Sequence, residues 1–128
     1  MKHRIVIADD DPVSVSLISI VLGAAGYEVL NASSGSDALA LIRKSRPNAV
    51  MLDIHMPGSS GISVLEEIRG DPRLSKLLVF MLTGDKKTEM VKSAISAGAT
   101  DYITKPFDPD VLVKRVNRRV HSSTMVWD

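Results

Sequence analysis

The stretch HRIVIADDDP, residues 3–12, joins a short apolar run to three consecutive acids and a proline. The apolar run is typical of a strand that helices cover on both faces of a parallel sheet. Asp11 followed by Pro12 is typical of a helix N-cap with proline at the first helical position. The segment therefore predicts a strand, an acidic turn and a helix, which together begin a βαβ unit.

The same alternation continues along the chain. Further runs of Val, Ile, Leu and Met are separated by segments with helical period, which are bounded by caps, glycine or proline. The predicted strands are 4–8, 27–32, 48–52, 77–82 and 100–104, and a helix is predicted after each of them. With right-handed crossovers, this order predicts an α/β fold: a (βα)5 doubly wound, five-stranded parallel sheet of flavodoxin-like order 2-1-3-4-5.

Caps and apolar faces indicate where the helices lie. The fourth helix is expected over 86–97, with Asp85 as a candidate N-cap, and the last over 108–120. The first helix is expected to stop at Gly26 and to bury five apolar residues: Val13, Leu17, Ile20, Val21 and Leu22.

Composition restricts the classes of protein to consider. The chain has 128 residues, a formal net charge of +1 and no cysteine, which excludes disulfides and thiolate chemistry. The balanced charge does not favour a nucleic acid as an obligatory partner. No apolar run is long enough for a membrane span, and acids follow the N-terminus too soon for a signal peptide. We expect a cytoplasmic protein without membrane insertion. Residues 1–121 are expected to form one domain, and residues 122–128 a tail or the start of a linker. Trp127 is expected to lie in a mobile terminus.

Polar residues stand at the carboxyl ends of four predicted strands. Asp9 and Asp10 follow the first strand, Asp53 the third, Thr83 the fourth and Lys105 the fifth. Because these strand ends meet at one edge of a parallel sheet, where ligands bind, we expect the side chains to converge. Adjacent acids repel each other, and a divalent cation relieves that repulsion. Carboxylates, a hydroxyl and an ammonium together predict a site for Mg²⁺ and a phosphoryl group.

Four motifs carry a resemblance to a known family. ADDDP, MLDIHMPGSSG, MLTGD and GATDYITKPF occur in this order and, over roughly residues 3–120, resemble a response-regulator receiver domain of the chemotaxis-regulator kind. Such domains are the phosphoacceptors of two-component signalling. The resemblance implies that Asp53 becomes an acyl phosphate and that Lys105 contacts the phosphoryl oxygens. It implies Mg²⁺, or Mn²⁺, held by Asp10, Asp53 and the backbone carbonyl of His55, with Asp9 acting mostly through a metal-bound water.

The resemblance also implies a switch. Thr83 would rotate inward to donate to the phosphoryl group, and Tyr102 would follow it. The Lys105–Pro106 peptide is expected to be cis. Phosphorylation would then bias two existing packings of the signalling face, which is helix 86–97, strand 100–104 and helix 108–120.

Two polar residues are placed to control how long the phosphoryl group survives. His55 lies two residues after Asp53, and Asp85 lies two after Thr83. Both side chains can project over the phosphoryl group, where a water must approach in line. For Asp85 the alternative interpretation is a helix N-cap. We expect His55 to tune the rate of dephosphorylation.

The implied partners are a sensor histidine kinase or histidine phosphotransfer protein, and a downstream protein or an output domain absent from this chain. No direct nucleic-acid contact is expected, since no aromatic residues interleave with the basic residues of the last helix. Thr100 stands where the branch with symmetric receiver dimers usually has an acid, which weakens the expectation of that dimer. The chain is either a free-standing receiver or part of a longer protein.

Three other functions fit the sequence less well. A small aspartyl-phosphate phosphohydrolase needs a second acid two residues after its nucleophile, where this chain has His55. A flavin carrier needs a phosphate loop after the first strand, and ADDDP would repel that phosphate. A binding-only pseudo-receiver should lack part of the site, whereas every motif is present. The phosphorelay receiver therefore ranks first.

Overall fold

The computed structural model describes residues 2–123 and Trp127. Its strands are β1 Arg4–Ala8, β2 Glu28–Ala32, β3 Ala49–Leu52, β4 His55–Met56, β5 Ser59–Ser60, β6 Leu78–Thr83 and β7 Asp101–Thr104. Its helices are α1 Pro12–Ala24, α2 Gly35–Ser45, α3 Gly61–Gly70, α4 Thr88–Ser96 and α5 Pro109–His121. Within the predicted tail over 122–128, residues 124–126 and 128 lie outside the described residues.

The main sheet has five parallel strands in the order β2-β1-β3-β6-β7. With these five strands counted alone along the chain, the order is the predicted 2-1-3-4-5, so the predicted topology is confirmed. The remaining two strands, β4 and β5, pair as a short antiparallel hairpin that turns at Gly58, whose φ is +76°. The sequence analysis did not predict this hairpin.

The helices form a layer on each face of the sheet. Successive residues of a strand point to opposite faces of the sheet, so the core has two halves. Val6, Val50 and Met81 pack with α2, α3 and α4 on one face. Ile7 and Met51 pack with α1 and α5 on the other face. The central strands are consequently buried on both faces, as their nearly continuous apolar sequence predicted. Within residues 2–123 no helix is both long enough and apolar enough to cross a membrane.

The predicted buried face of α1 is right for Leu22 and wrong for three of its five residues. Val13, Leu17 and Ile20 are 66%, 50% and 69% exposed, whereas the buried residues of the helix are Ser14, Ile18 and Leu22. The helix is apolar on almost every side, so its sequence period could not indicate which side meets the sheet. The fold therefore leaves an apolar stripe of α1 in solvent.

The side-chain cap of α1 lies where it was predicted, and side chains also cap α2 and α5. Asp11 accepts a hydrogen bond from the Val13 amide at 3.1 Å, and Ser34 and Asp108 cap α2 and α5 in the same way. The prediction for α4 is wrong. That helix begins at Thr88 with Lys87 as its N-cap, and no side chain caps it, because Asp85 lies too early and makes other contacts.

Gly61, the first residue of α3, lies against the chain that leaves β3. Its amide donates to the Ile54 carbonyl at 2.7 Å, and a Cβ at this position would lie 2.1 Å from the Asp53 carbonyl oxygen. No side chain fits at that separation. The glycine therefore lets α3 begin directly beside Asp53.

We predict that Gly61→Ala lowers the free energy of unfolding by about 2 kcal/mol, as overpacking at a close contact does. The matched control is Gly23→Ala in α1, where a Cβ would have no atom within 4 Å. Because alanine favours helix, that variant should gain about 0.5–1 kcal/mol. Urea unfolding monitored by circular dichroism measures both values. Equal changes in the two variants would contradict the assigned contact.

Candidate functional site

The carboxyl edge of the sheet brings the predicted polar residues together. Hydrogen bonds beyond the strand ends position the backbone: the Asp9 amide donates to Ala32 at 3.2 Å, Asp53 to Ala8 at 3.0 Å and Lys105 to Thr83 at 2.9 Å. Each residue is thus fixed by one additional bond to the neighbouring strand. Their side chains project into the crevice where ligands of open α/β sheets bind.

Lys105 lies between two of the acids. Its Nζ donates to Asp9 Oδ2 at 2.7 Å and to Asp53 Oδ2 at 3.0 Å. Burial by itself would lower the pKa of Lys105, but the hydrogen bonds to Asp9 and Asp53 outweigh burial and raise that pKa above its ordinary value. The ammonium is therefore a permanent positive charge beside Asp53 at physiological pH.

The other oxygens of these carboxylates are held by the backbone. Asp53 Oδ1 accepts from the His55 amide at 3.3 Å, and Asp9 Oδ1 accepts from the Asp11 amide at 3.0 Å. Asp10 is exposed at the rim and makes no side-chain hydrogen bond to any described residue. The acids Asp9, Asp10 and Asp53 thus outnumber the single ammonium, and the cluster has a formal charge of −2.

This donor set fits a hard divalent cation. Within residues 2–123 and Trp127, no three acidic or histidine side chains are already arranged as metal ligands. The chemistry of the cluster nevertheless matches Mg²⁺, which takes oxygen ligands, keeps several waters and often uses only one or two carboxylates. A cavity lined by Asp10, Ile54 and His55 lies at this rim and has a volume of about 470 Å³.

Thr83 lies on the other side of Asp53. It is 1% exposed, and its Oγ1 accepts a hydrogen bond from the Asp85 amide at 3.3 Å. A second cavity, of about 570 Å³, opens between Asp53, His55 and Thr83 and the segment 84–87. A group attached to Asp53 would therefore enter a space that the Thr83 hydroxyl faces.

His55 and Asp85 meet across this cavity. His55 Nε2 lies 2.9 Å from Asp85 Oδ2, although the His55 side chain remains 64% exposed. The hydrogen bond from His55 is the main reason that the pKa of Asp85 is lowered, followed by the bond from the Lys87 amide. Sequence reasoning placed both residues near Asp53, but it did not predict that they pair.

Tyr102 is connected to the same segment. Its hydroxyl donates to the Asp85 carbonyl oxygen at 2.6 Å, and burial raises the pKa of Tyr102, so the hydroxyl keeps its proton. Asp85 thus contacts Thr83 through its amide, Tyr102 through its carbonyl and His55 through its carboxylate. Sequence reasoning did not identify this role, because only the fold brings the three contacts together. The Lys105–Pro106 peptide is cis.

Comparison with known proteins agrees with the geometry. Residues 5–117 match the family model described as "Response regulator receiver domain". The chain is 39% identical over 120 residues to the DNA-binding response regulator MtrA of Mycolicibacterium smegmatis, an alignment that covers 94% of this chain and 51% of MtrA. The chain therefore spans about half the length of the curated relatives that it matches first.

Two solved structures have the same fold. The crystal structure of a proposed response regulator from Chloroflexus aurantiacus superposes with a TM-score of 0.91 at 36% identity and covers 94% of this chain and 99% of its own. The receiver domain of sensor histidine kinase PA1611 from Pseudomonas aeruginosa has a TM-score of 0.87 at 26% identity, over 95% of this chain and 100% of its own. That structure contains a magnesium ion in its active-site cleft.

Proposed function

Because the chain belongs to the response regulator receiver family, we propose that Asp53 is the residue that accepts the phosphoryl group. The chain is a receiver domain of two-component response regulators. The observation that supports Asp53 is its place after the central strand, 3.0 Å from the Lys105 ammonium and beside the buried Thr83. The phosphohydrolase alternative is not favoured, since His55 occupies the place of the acid that it requires.

The proposed donor is the phosphohistidine of a sensor histidine kinase or phosphotransfer protein in the cytoplasm. One Asp53 oxygen attacks phosphorus, the bond from phosphorus to the donor nitrogen breaks, and the electron pair stays on the imidazole. Lys105 shifts from the Asp53 carboxylate to the incoming phosphoryl oxygens and neutralises their charge. Asp9, Asp10, Asp53 and the His55 carbonyl would hold Mg²⁺ or Mn²⁺, which supplies further charge neutralisation.

The contacts of Asp85 support a route for the signal. When Asp53 is phosphorylated, the Thr83 hydroxyl turns to donate to a phosphoryl oxygen and pulls on the Asp85 amide. Tyr102 follows, because its hydroxyl is bonded to the Asp85 carbonyl. The change reaches the proposed signalling face of α4, β7 and α5, which a downstream protein or an output domain would contact.

The pair of His55 and Asp85 supports a second role for this segment. The two side chains close one side of the cavity in which an attacking water would approach the phosphoryl group in line. We therefore assign the pair to the control of dephosphorylation. The receiver would promote its own dephosphorylation at a rate that these two side chains set.

The exposed stripe of α1 supports a docking surface for the phosphodonor. Leu17 and Val21 of α1 line a groove of about 410 Å³ together with Pro106, Phe107 and Lys105. Lys105 also contacts Asp53, so a partner seated in this groove lies next to the phosphoacceptor. Exposed apolar residues beside a polar site are typical of a protein interaction surface. We assign this surface to the histidine-containing donor.

The assignment of Asp53 predicts one added phosphoryl group when the protein is incubated with acetyl phosphate and Mg²⁺. The adduct should be labile to hydroxylamine, as an acyl phosphate is. Intact-protein mass spectrometry measures it, and Asp53→Asn should show none. Chelation of the metal should suppress labelling of the parent. Full labelling of Asp53→Asn would exclude this residue as the acceptor.

For the switch, we predict that Thr83→Val binds beryllofluoride but no longer shifts the amide resonances of α4 and β7. The variant keeps the shape of the side chain and loses the hydroxyl that faces Asp53. Tyr102→Phe should retain shifts near Thr83 and lose them at the outer face, since it removes only the bond to Asp85. Two-dimensional NMR with and without beryllofluoride tests both variants. Shifts like those of the parent would contradict the route.

For the lifetime, we predict that His55→Ala changes the dephosphorylation rate by about tenfold, within the roughly 10²-fold ceiling of a positioned polar group. Asp85→Ala should have a similar effect, and the double variant should add little, because the two side chains act as one pair. Decay of the phosphorylated protein after donor removal gives the rates. Fully additive effects would show that the two residues act separately.

For docking, we predict that Leu17→Asp slows phosphoryl transfer from a histidine kinase by about tenfold and leaves labelling by acetyl phosphate unchanged. The experiment uses whichever histidine kinase, from a panel of purified kinases, phosphorylates the unsubstituted protein fastest. The control is Val111→Asp on α5, where the exposed fraction is a similar 44%. Equal slowing by both variants would remove α1 as the docking surface.

A further inference from the structure

A cationic cavity lies at the amino edge of the sheet, opposite Asp53. It has a volume of about 210 Å³ and is lined by Arg43, Arg46, Asp71, Arg73, Leu74 and Trp127. The first two arginines lie at the end of α2, just before β3, and residues 71–74 follow α3, before β6. The cavity is therefore separate from the phosphoacceptor edge, and a ligand bound in it would be independent of the proposed phosphoryl transfer.

The charges in the cavity are not balanced. Arg43 Nη2 pairs with Asp71 Oδ2 at 3.2 Å. A hydrogen bond from the Arg73 amide, and then the one from Arg43, lower the pKa of Asp71, so this acid stays ionised. The guanidinium groups of Arg46 and Arg73 form no salt bridge with a described carboxylate, although the charge of Arg73 also contributes to the lowered pKa of Asp71. Among the described residues that line the cavity, three guanidinium groups therefore surround one carboxylate, with a formal excess of +2.

The backbone at Arg46 has an unusual conformation. Arg46 follows α2 with φ 51° and ψ 61°, and it is the one non-glycine residue of the described chain with a positive φ. This position after the helix favours glycine or asparagine, because the left-handed backbone conformation costs free energy for other residues. The helix dipole explains cations in the last turn of α2, but it does not explain Arg73, which another segment supplies.

Trp127 forms the apolar wall of the cavity. Its Nε1 donates to the Pro47 carbonyl oxygen at 2.8 Å, and its partly buried ring packs against the core beneath α2 and α3. The indole therefore has both an apolar surface and a hydrogen-bond acceptor at this edge of the sheet. The residue lies outside the part of the chain that matches the family, residues 5–117.

We propose that this cavity binds a phosphate-bearing anion. Arg46 and Arg73 would each donate to non-bridging phosphate oxygens, which their planar forks fit in a bidentate manner. Arg43 would be shared between the anion and Asp71, and the indole would cover one side. The phosphate can belong to a small inorganic anion or to a nucleotide, and the recognising chemistry is the same.

Trp127 is the only tryptophan of the chain, so its fluorescence reports directly on this cavity. The full chain is titrated with pyrophosphate and separately with ADP, at constant ionic strength and with a chelator in place of Mg²⁺. We expect a saturable change in emission with each probe. Arg46→Gln and Arg73→Gln should each weaken binding about tenfold, the loss expected for a charge-assisted hydrogen bond.

Two further variants sharpen the test. Arg119→Gln removes the same charge from the exposed side of α5 and should bind as the parent does. Asp71→Asn removes the competing carboxylate and should bind more tightly. Tighter binding of ADP than of pyrophosphate would assign the site to nucleotides, and equal binding would assign it to the phosphate group alone. An unsaturable change in the parent, or equal weakening by Arg119→Gln, would overturn the proposal.

Discussion

The Lys105 ammonium, held between Asp9 and Asp53, is the contact on which the carboxyl edge depends. Carboxylates this close repel each other, and burial strengthens the repulsion because water is displaced. Lys105 can reach both acids since β7 ends beside β6 and its amide continues the sheet hydrogen bonding to Thr83. In the proposed transfer, the same ammonium would contact the phosphoryl oxygens. Lys105 thus reduces the repulsion between Asp9 and Asp53 in the free protein, and the proposed transfer uses the same side chain.

Asp85 contacts two groups of residues with different proposed roles, one in dephosphorylation and one in the switch. Its carboxylate pairs with His55 beside the cavity in which the proposed hydrolytic water would approach, and its backbone connects Thr83 with Tyr102. On the proposed function, a change that loosens this segment would alter both the lifetime of the phosphoryl group and the signal that it sends. Among the described residues, no side chain caps the helix that follows this segment, α4.

Three regions of the surface differ in their chemistry. The carboxyl edge carries the proposed phosphoacceptor, the neighbouring stripe of α1 is apolar and exposed, and the amino edge carries three arginines, one of them paired with Asp71, beside Trp127. These features lie at different places on the surface, and at the amino edge Trp127 also packs against the core beneath α2 and α3. This separation is what lets an anion at the amino edge and a phosphoryl group on Asp53 be tested independently.

The sequence by itself determined the order of the strands, the cap of α1 at Asp11 and which polar residues meet at the carboxyl edge of the sheet. It could do so because these features are local. An apolar run, a cap such as Asp11 and a polar residue directly after a strand can each be recognised from a few consecutive residues. Only the tertiary structure decided which side of α1 is buried, that Asp85 pairs with His55, and that Trp127 joins the arginines. These depend on the rotation of a helix against the sheet and on contacts between distant segments, and neither leaves a local pattern in the chain.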